Sequence, residues 1–178
     1  MSAAGYNDHD SETGLLNAGG LARVIDVELS RAARHELPLS LVLLEVSGPL
    51  GHNGGQERSS AVAAKVARVL ERRIRKEDWA ARIGRLKFAV VAVETSDSAA
   101  LASDLEQQVR MALIAPGEDG ADLSVTVGAV DCHYDELSRD ELIQQADKAL
   151  ATAMMSGSGL SFPTPAFMPG LHRPNGRR

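Results

Sequence analysis

Arg75-Lys76-Glu77-Asp78-Trp79-Ala80-Ala81-Arg82-Ile83-Gly84-Arg85-Leu86-Lys87-Phe88 is the stretch from which the fold can be read. It reads as the end of a basic helix, a turn, and two short strands that meet at Gly84-Arg85, with Phe88 to Val93 running on as a buried strand. Just upstream, Ala61 to Lys76 places Val62, Val66, Val69, Leu70 and Ile74 at helical spacing, with Lys65, Arg68, Arg72 and Arg73 on the other face. A helix therefore delivers the chain into a hairpin, and the hairpin's second strand belongs to a core.

Working outward, Leu39-Ser-Leu-Val-Leu-Leu-Glu-Val46 follows Pro38 as a nearly continuous apolar run, which suits a central strand covered on both faces. Before it, Leu21, Val24, Ile25 and Leu29 share one face of a helix from Leu21 to His35, with Asn17 as its cap. Gly48 to Gln56 is a Gly-rich loop. After the hairpin, Asp97-Ser98 leads a helix to about Leu113, and Leu123-Ser-Val-Thr-Val-Gly-Ala-Val130 alternates as a strand does. Ser138-Arg-Asp-Glu141 is a capping box that opens a last helix from Glu141 to Met155. The order helix, strand, helix, hairpin, helix, strand, helix is that of a ferredoxin-like α/β sandwich, a central mixed sheet flanked by helices. Length allows one domain, placed at residues 10–157, with a flexible start at 1–9 and a disordered Pro/Gly/Arg tail at 158–178.

Composition excludes several functions. A formal net charge of -5 argues against a protein built to neutralise nucleic-acid phosphates. Cys132 is the single cysteine, so no disulfide framework or Cys-rich zinc site is available, and His9, His35, His52, His133 and His172 lack metal-ligand spacing. No segment is apolar for long enough to span a bilayer, and no leader pattern opens the chain, so a cytoplasmic protein without membrane contact is expected. Trp79 is expected as a core anchor and Met154-Met155 as packing at the end of the last helix.

Four segments together carry a resemblance. Asp10-Ser-Glu-Thr-Gly-Leu-Leu-Asn17, the pair Arg75 and Asp78 set five residues ahead of Gly84, Leu123 to Val130, and Ala146-Asp-Lys-Ala-Leu150 resemble, in order and spacing, the GGDEF family. These are the bacterial domains that condense two GTP molecules into cyclic di-GMP, on a fold of the nucleotidyl-cyclase type. The opening motif departs from the family at Glu12 and Ala18. Of the signature itself only Gly84 and Phe88 remain, because Arg85, Leu86 and Lys87 occupy the second glycine and both carboxylate positions.

Joining two GTP molecules needs divalent metal held by carboxylate oxygens. The family draws these from the hairpin and from an Asp-Ile-Asp at the end of its first strand, where this chain has Glu45-Val46-Ser47. The guanine-reading Asp has no counterpart, since no Asp lies between Asp26 and Asp78; Asn53 is a candidate for the guanine-reading Asn. The phosphate-holding Lys and Arg of the last helix fall on Met154 and Ser158. The resemblance thus implies a domain that is not an enzyme, with no catalytic residue, metal or cofactor. Lys87 is expected either to reach Glu45 or to point into solvent.

The family's Arg-x-x-Asp is its inhibitory site, where cyclic di-GMP binds. An Arg can fork onto guanine O6 and N7 or onto a phosphate, and an Asp can accept from guanine N1 and N2. The resemblance therefore points to a cyclic di-GMP receptor that reads its ligand with Arg75 and Asp78, with Arg72 and Arg82, and also Arg73 and Arg85, as candidates for a helping arginine. A dimer bridged by ligand and an unidentified protein partner go with that reading. The alternative is a ligand-free interaction scaffold, in which Asp78 is a turn residue and the basic residues only complement a helix dipole.

Overall fold

The first helix begins where its cap says. In the computed structural model, which describes residues 7–49, 55–114, 123–133, 137–157 and 159–162, Asn17 accepts a hydrogen bond from the Gly20 N–H and α1 runs Ala18–His35. The other elements are β1 Leu39–Ser47, α2 Gly55–Arg73, β2 Trp79–Arg82, β3 Lys87–Val93, α3 Ser98–Leu113, β4 Ser124–Cys132, α4 Arg139–Ser156 and β5 Leu160–Ser161. The capping box at Ser138 and Glu141 forms as read.

The strands make one sheet in the order β2-β3-β1-β4-β5. β1 lies at its centre, antiparallel to both β3 and β4, while β5 joins β4 in parallel, so the sheet is mixed. Because side chains alternate along a strand, β1 feeds two cores at once. Val42, Leu44 and Val46 face α2 and α3, where they meet Val66, Leu70, Leu105 and Val109. Leu39, Leu41 and Leu43 face α1 and α4, where they meet Ile25, Leu142 and Leu150. This double burial is why the β1 sequence is apolar almost throughout.

Four expectations need correction. α2 starts at Gly55, inside the expected loop, and stops at Arg73 instead of running to Lys76, because the next residues are drawn into a turn closed by Asp78. The sheet takes in Leu160-Ser161, beyond the boundary expected at 157: the Val127 N–H donates to the Gly159 carbonyl at 2.8 Å. Trp79 is no core anchor. It opens β2 with 39% of its surface exposed: among the described residues only Leu16 bridges the outer side of β2, at Ala80 and Arg82, and the buried places go to Ala80 and Ala81. Met155 is 89% exposed, so it does not pack on the domain. Residues 1–6 and 163–178, as well as Asn53, lie outside the described residues.

Candidate functional site

The Arg75–Asp78 segment is a tight turn bonded in both directions. The Asp78 N–H donates to the Arg75 carbonyl at 3.2 Å, and the Arg75 N–H donates to Asp78 Oδ2 at 2.9 Å. Asp78 Oδ1 accepts from the Val93 N–H at 3.1 Å, which pins the turn to the end of β3. The turn residue reading of Asp78 is thus correct as far as it goes, but each carboxylate oxygen keeps a second lone pair. Arg75 is exposed, and no side-chain partner for its guanidinium is found among the described residues; the same holds for Arg72 in the last turn of α2. Arg73 is different: it forks onto Asp104 of α3 at 2.8 and 2.5 Å and ties the two helices together.

Sequence reasoning missed Arg31. It comes from α1 and pairs with Glu94 at 3.5 Å and Glu28 at 3.6 Å. Glu94 directly follows Val93, the residue whose N–H holds Asp78, so Arg31 is linked to the turn through Glu94 and the end of β3. No local pattern marks it, because only the packing of α1 on the sheet places it there.

Arg82 is separated from this cluster. It lies at the other end of β2, about 10 Å from Trp79 at the rise of an extended strand. Its side chain is 8% exposed and bonds Asp10 at 3.2 Å and Glu12 at 2.5 Å, while Nε and Nη2 donate to the Arg85 carbonyl. It clamps the opening Asp10–Asn17 segment onto the hairpin, and a guanidinium so occupied is not offered to a ligand at the turn.

The clamp leaves a pH signature. Burial pushes the Asp10 carboxyl up, but hydrogen bonds from the Thr13 hydroxyl and backbone, then Arg82, outweigh this and hold it below its ordinary value. The Arg82 hydrogen bond, then Ser60, holds Glu12 low as well. Carboxylates depressed on folding stabilise the protein above the ordinary carboxylate pKa, about 4, and lose that contribution as pH falls through their lower folded values. Arg82→Met is therefore expected to be destabilised at neutral pH, with the gap to wild type narrowing towards about pH 3. Urea unfolding at the two pH values reads it; a gap that stays constant would mean that the carboxylates do not carry the clamp.

The hairpin explains the remaining positions of the signature. Gly84 sits at the tip, where the Ile83 and Gly84 N–H groups both donate to the Lys87 carbonyl. Arg85 Nη2 donates to the Gly55 carbonyl at 2.6 Å, at the start of α2. Leu86 and Phe88 point into the core under α2 and α3, and the Leu86 carbonyl accepts from the Val46 N–H. Glu45 and Lys87 are directly opposite across β1 and β3, yet the Lys87 ammonium goes to Asp147 of α4 at 2.7 Å. It neither reaches Glu45 nor points into solvent, because α4 covers that face and offers a carboxylate first. Ser47 shares a hydrogen bond with Ser124 across the end of β1.

Comparison with known families places this architecture. Residues 7–159 match the family described as "Diguanylate cyclase, GGDEF domain". The chain belongs to the GGDEF family. Among curated relatives, the diguanylate cyclase DosC of Escherichia coli K12 is 32% identical over 160 residues, covering 83% of this chain and 33% of that protein. The chain thus spans about a third of the length of that relative. Among solved structures, the coiled coil and GGDEF domain of DgcB from Caulobacter crescentus, in complex with cyclic di-GMP, superposes with a TM-score of 0.73 at 22% identity, over 87% of this chain and 85% of that one. The diguanylate cyclase SiaD of Pseudomonas aeruginosa, in complex with its activator SiaC, gives a TM-score of 0.72 at 24% identity, over 85% of this chain and 59% of that one.

The GGDEF fold expected from sequence is the fold found. The expectation that the chain is not an enzyme is overturned by the same comparisons: the family is by description an enzyme family, and the Escherichia coli relative is named a diguanylate cyclase. The substitutions at Arg85, Leu86, Lys87, Met154 and Ser158 stand in a chain that aligns with a diguanylate cyclase over 160 residues. Among the described residues no helix is long and apolar enough to cross a membrane.

Proposed function

We propose that this GGDEF domain is a cytoplasmic signalling protein that binds cyclic di-GMP at the Arg75–Asp78 turn. The observation that carries the reading is the pairing of a turn locked in both directions with two guanidiniums, Arg75 and Arg72, left unpartnered among the described residues at its rim. Asp78 accepts from N1 and N2 of a guanine with its remaining lone pairs, and Arg75 forks onto the base or a phosphate of the ligand. Arg31 joins them by trading its contact with Glu94 for the anionic ligand. The GGDEF domain of DgcB, which shares the fold, was crystallised with the same nucleotide. A ligand with two guanines, held at an exposed turn, bridges two copies of the chain, and a protein partner reads the result.

Calorimetric titration with cyclic di-GMP tests this, with cyclic di-AMP as the control that lacks the N1–H and N2–H₂ donors of guanine. Micromolar or tighter binding of the first and at least ten-fold weaker binding of the second is expected. Silence towards cyclic di-GMP overturns the proposal. Incubation of the same preparation with GTP and Mg²⁺ reads whether the chain also makes the ligand it binds.

A further inference from the structure

The chain's single tryptophan stands next to Asp78, partly exposed at the start of β2. Trp79 opens β2, an edge strand, and lies on the α1 side of the sheet, as Ala81 and its register partner Val91 do. The residue is 39% exposed and its indole N–H makes no hydrogen bond among the described residues. The exposed Phe162 is at the opposite edge, beside β5, and the exposed Met111, Met154 and Met155 are on α3 and α4. Val27 of α1 and Ile114 after α3 are also exposed, but Trp79 is the exposed aromatic group of β2, and it adjoins the Arg75–Asp78 turn.

We propose that the exposed indole of Trp79 is a stacking platform for a purine base of the nucleotide held at Arg75 and Asp78. The inference rests on the preceding proposal and adds the residue that meets the face of the base. Asp78 is tied to the backbone N–H of Val93 at the end of β3, and Trp79, the next residue, is on the α1 face of the sheet by strand alternation. A base bonded edge-on to Asp78 then has the indole within reach of one side. Hydrogen-bonding groups select the base by its edge, whereas a π-face accepts any base and adds affinity. Tryptophan suits this because its large ring has few rotamers to lose, and the hydrogen bonds of β2 to β3 hold its backbone.

The single tryptophan also makes the test direct. Cyclic di-GMP titrated into the wild-type protein is expected to quench the intrinsic fluorescence, with a midpoint equal to that from calorimetry. Trp79→Leu is expected to weaken binding about ten-fold or more, and Trp79→Phe to retain most of it. Calorimetric binding that depends on Arg75 but leaves the fluorescence unchanged and is unaffected by Trp79→Leu would overturn the stacking role and leave the site standing. No calorimetric binding by the wild type would remove both. The fluorescence of the wild type needs no variant, so misfolding of Trp79→Leu cannot mask the answer.

Discussion

Gly128→Ala is expected to cost about 3 kcal/mol or more of stability, a large part of the 5–15 kcal/mol that a domain of this size has. Gly128 lies in the middle of β4, opposite Leu43, and α4 crosses directly over it. A Cβ there would stand 2.2 Å from the Leu150 nitrogen, 2.6 Å from its Cα and 2.8 Å from the Ala149 carbonyl carbon. These are backbone atoms of a helix, so no rotamer change relieves the clash. α4 would have to lift, and with it Leu142, Ala146 and Leu150, which close the core under α1 and α4. Gly84→Ala is the matched control. A Cβ there meets the Lys87 Cβ at 3.2 Å, at an exposed hairpin tip that can give, and the cost is at most about 1 kcal/mol. Urea unfolding of the two variants separates them. A Gly128→Ala protein that unfolds at the wild-type midpoint would mean that α4 does not rest on β4 at this distance.

Those two glycines show what the sequence made legible. Gly128 lies in the Leu123–Val130 motif and Gly84 in the signature, and both read correctly as fold markers because strand alternation, caps and apolar runs are local patterns. β1 announced its place at the centre by being apolar on both faces. The functional residues were legible only where they too were local, as in the Arg75–Asp78 spacing. Arg82 looked equivalent to Arg72 in a list of nearby arginines, yet β2 carries it to the far end of the strand and Asp10 and Glu12 capture it. The charge reversal at Lys87 beside a retained Glu45 left pairing or solvent as the alternatives, but Asp147, sixty residues away in sequence, takes the ammonium. Arg31 and the exposed ring of Trp79 depend on how α1 and the sheet edge lie, which no window of sequence contains. Enzyme status was not legible from the substituted positions, because the likeness to cyclases is spread over 160 residues and not confined to the signature.

Arg75→Ala should weaken cyclic di-GMP binding about 100-fold or more, since a forked, charge-assisted contact contributes about 2–4 kcal/mol when its partner is held in place. The substitution is clean in this structure. Arg75 supports the turn through its N–H and carbonyl, which alanine keeps, and its guanidinium has no partner among the described residues to leave stranded. Melting temperature should therefore change little while affinity collapses. Asp78→Asn is a poorer probe, because the carboxylate accepts from both the Arg75 and Val93 N–H groups, and the amide has one oxygen for two donors. It would loosen the turn and the ligand contact together. Arg75→Lys divides charge from geometry: an ammonium keeps the attraction for phosphate but loses the fork, so intermediate affinity is expected. If Arg75→Ala binds as the wild type does, the nucleotide sits elsewhere on the domain and the turn serves only to lead α2 into β2. If Arg75→Ala and Arg75→Lys fail equally, fork geometry rather than positive charge alone holds the ligand.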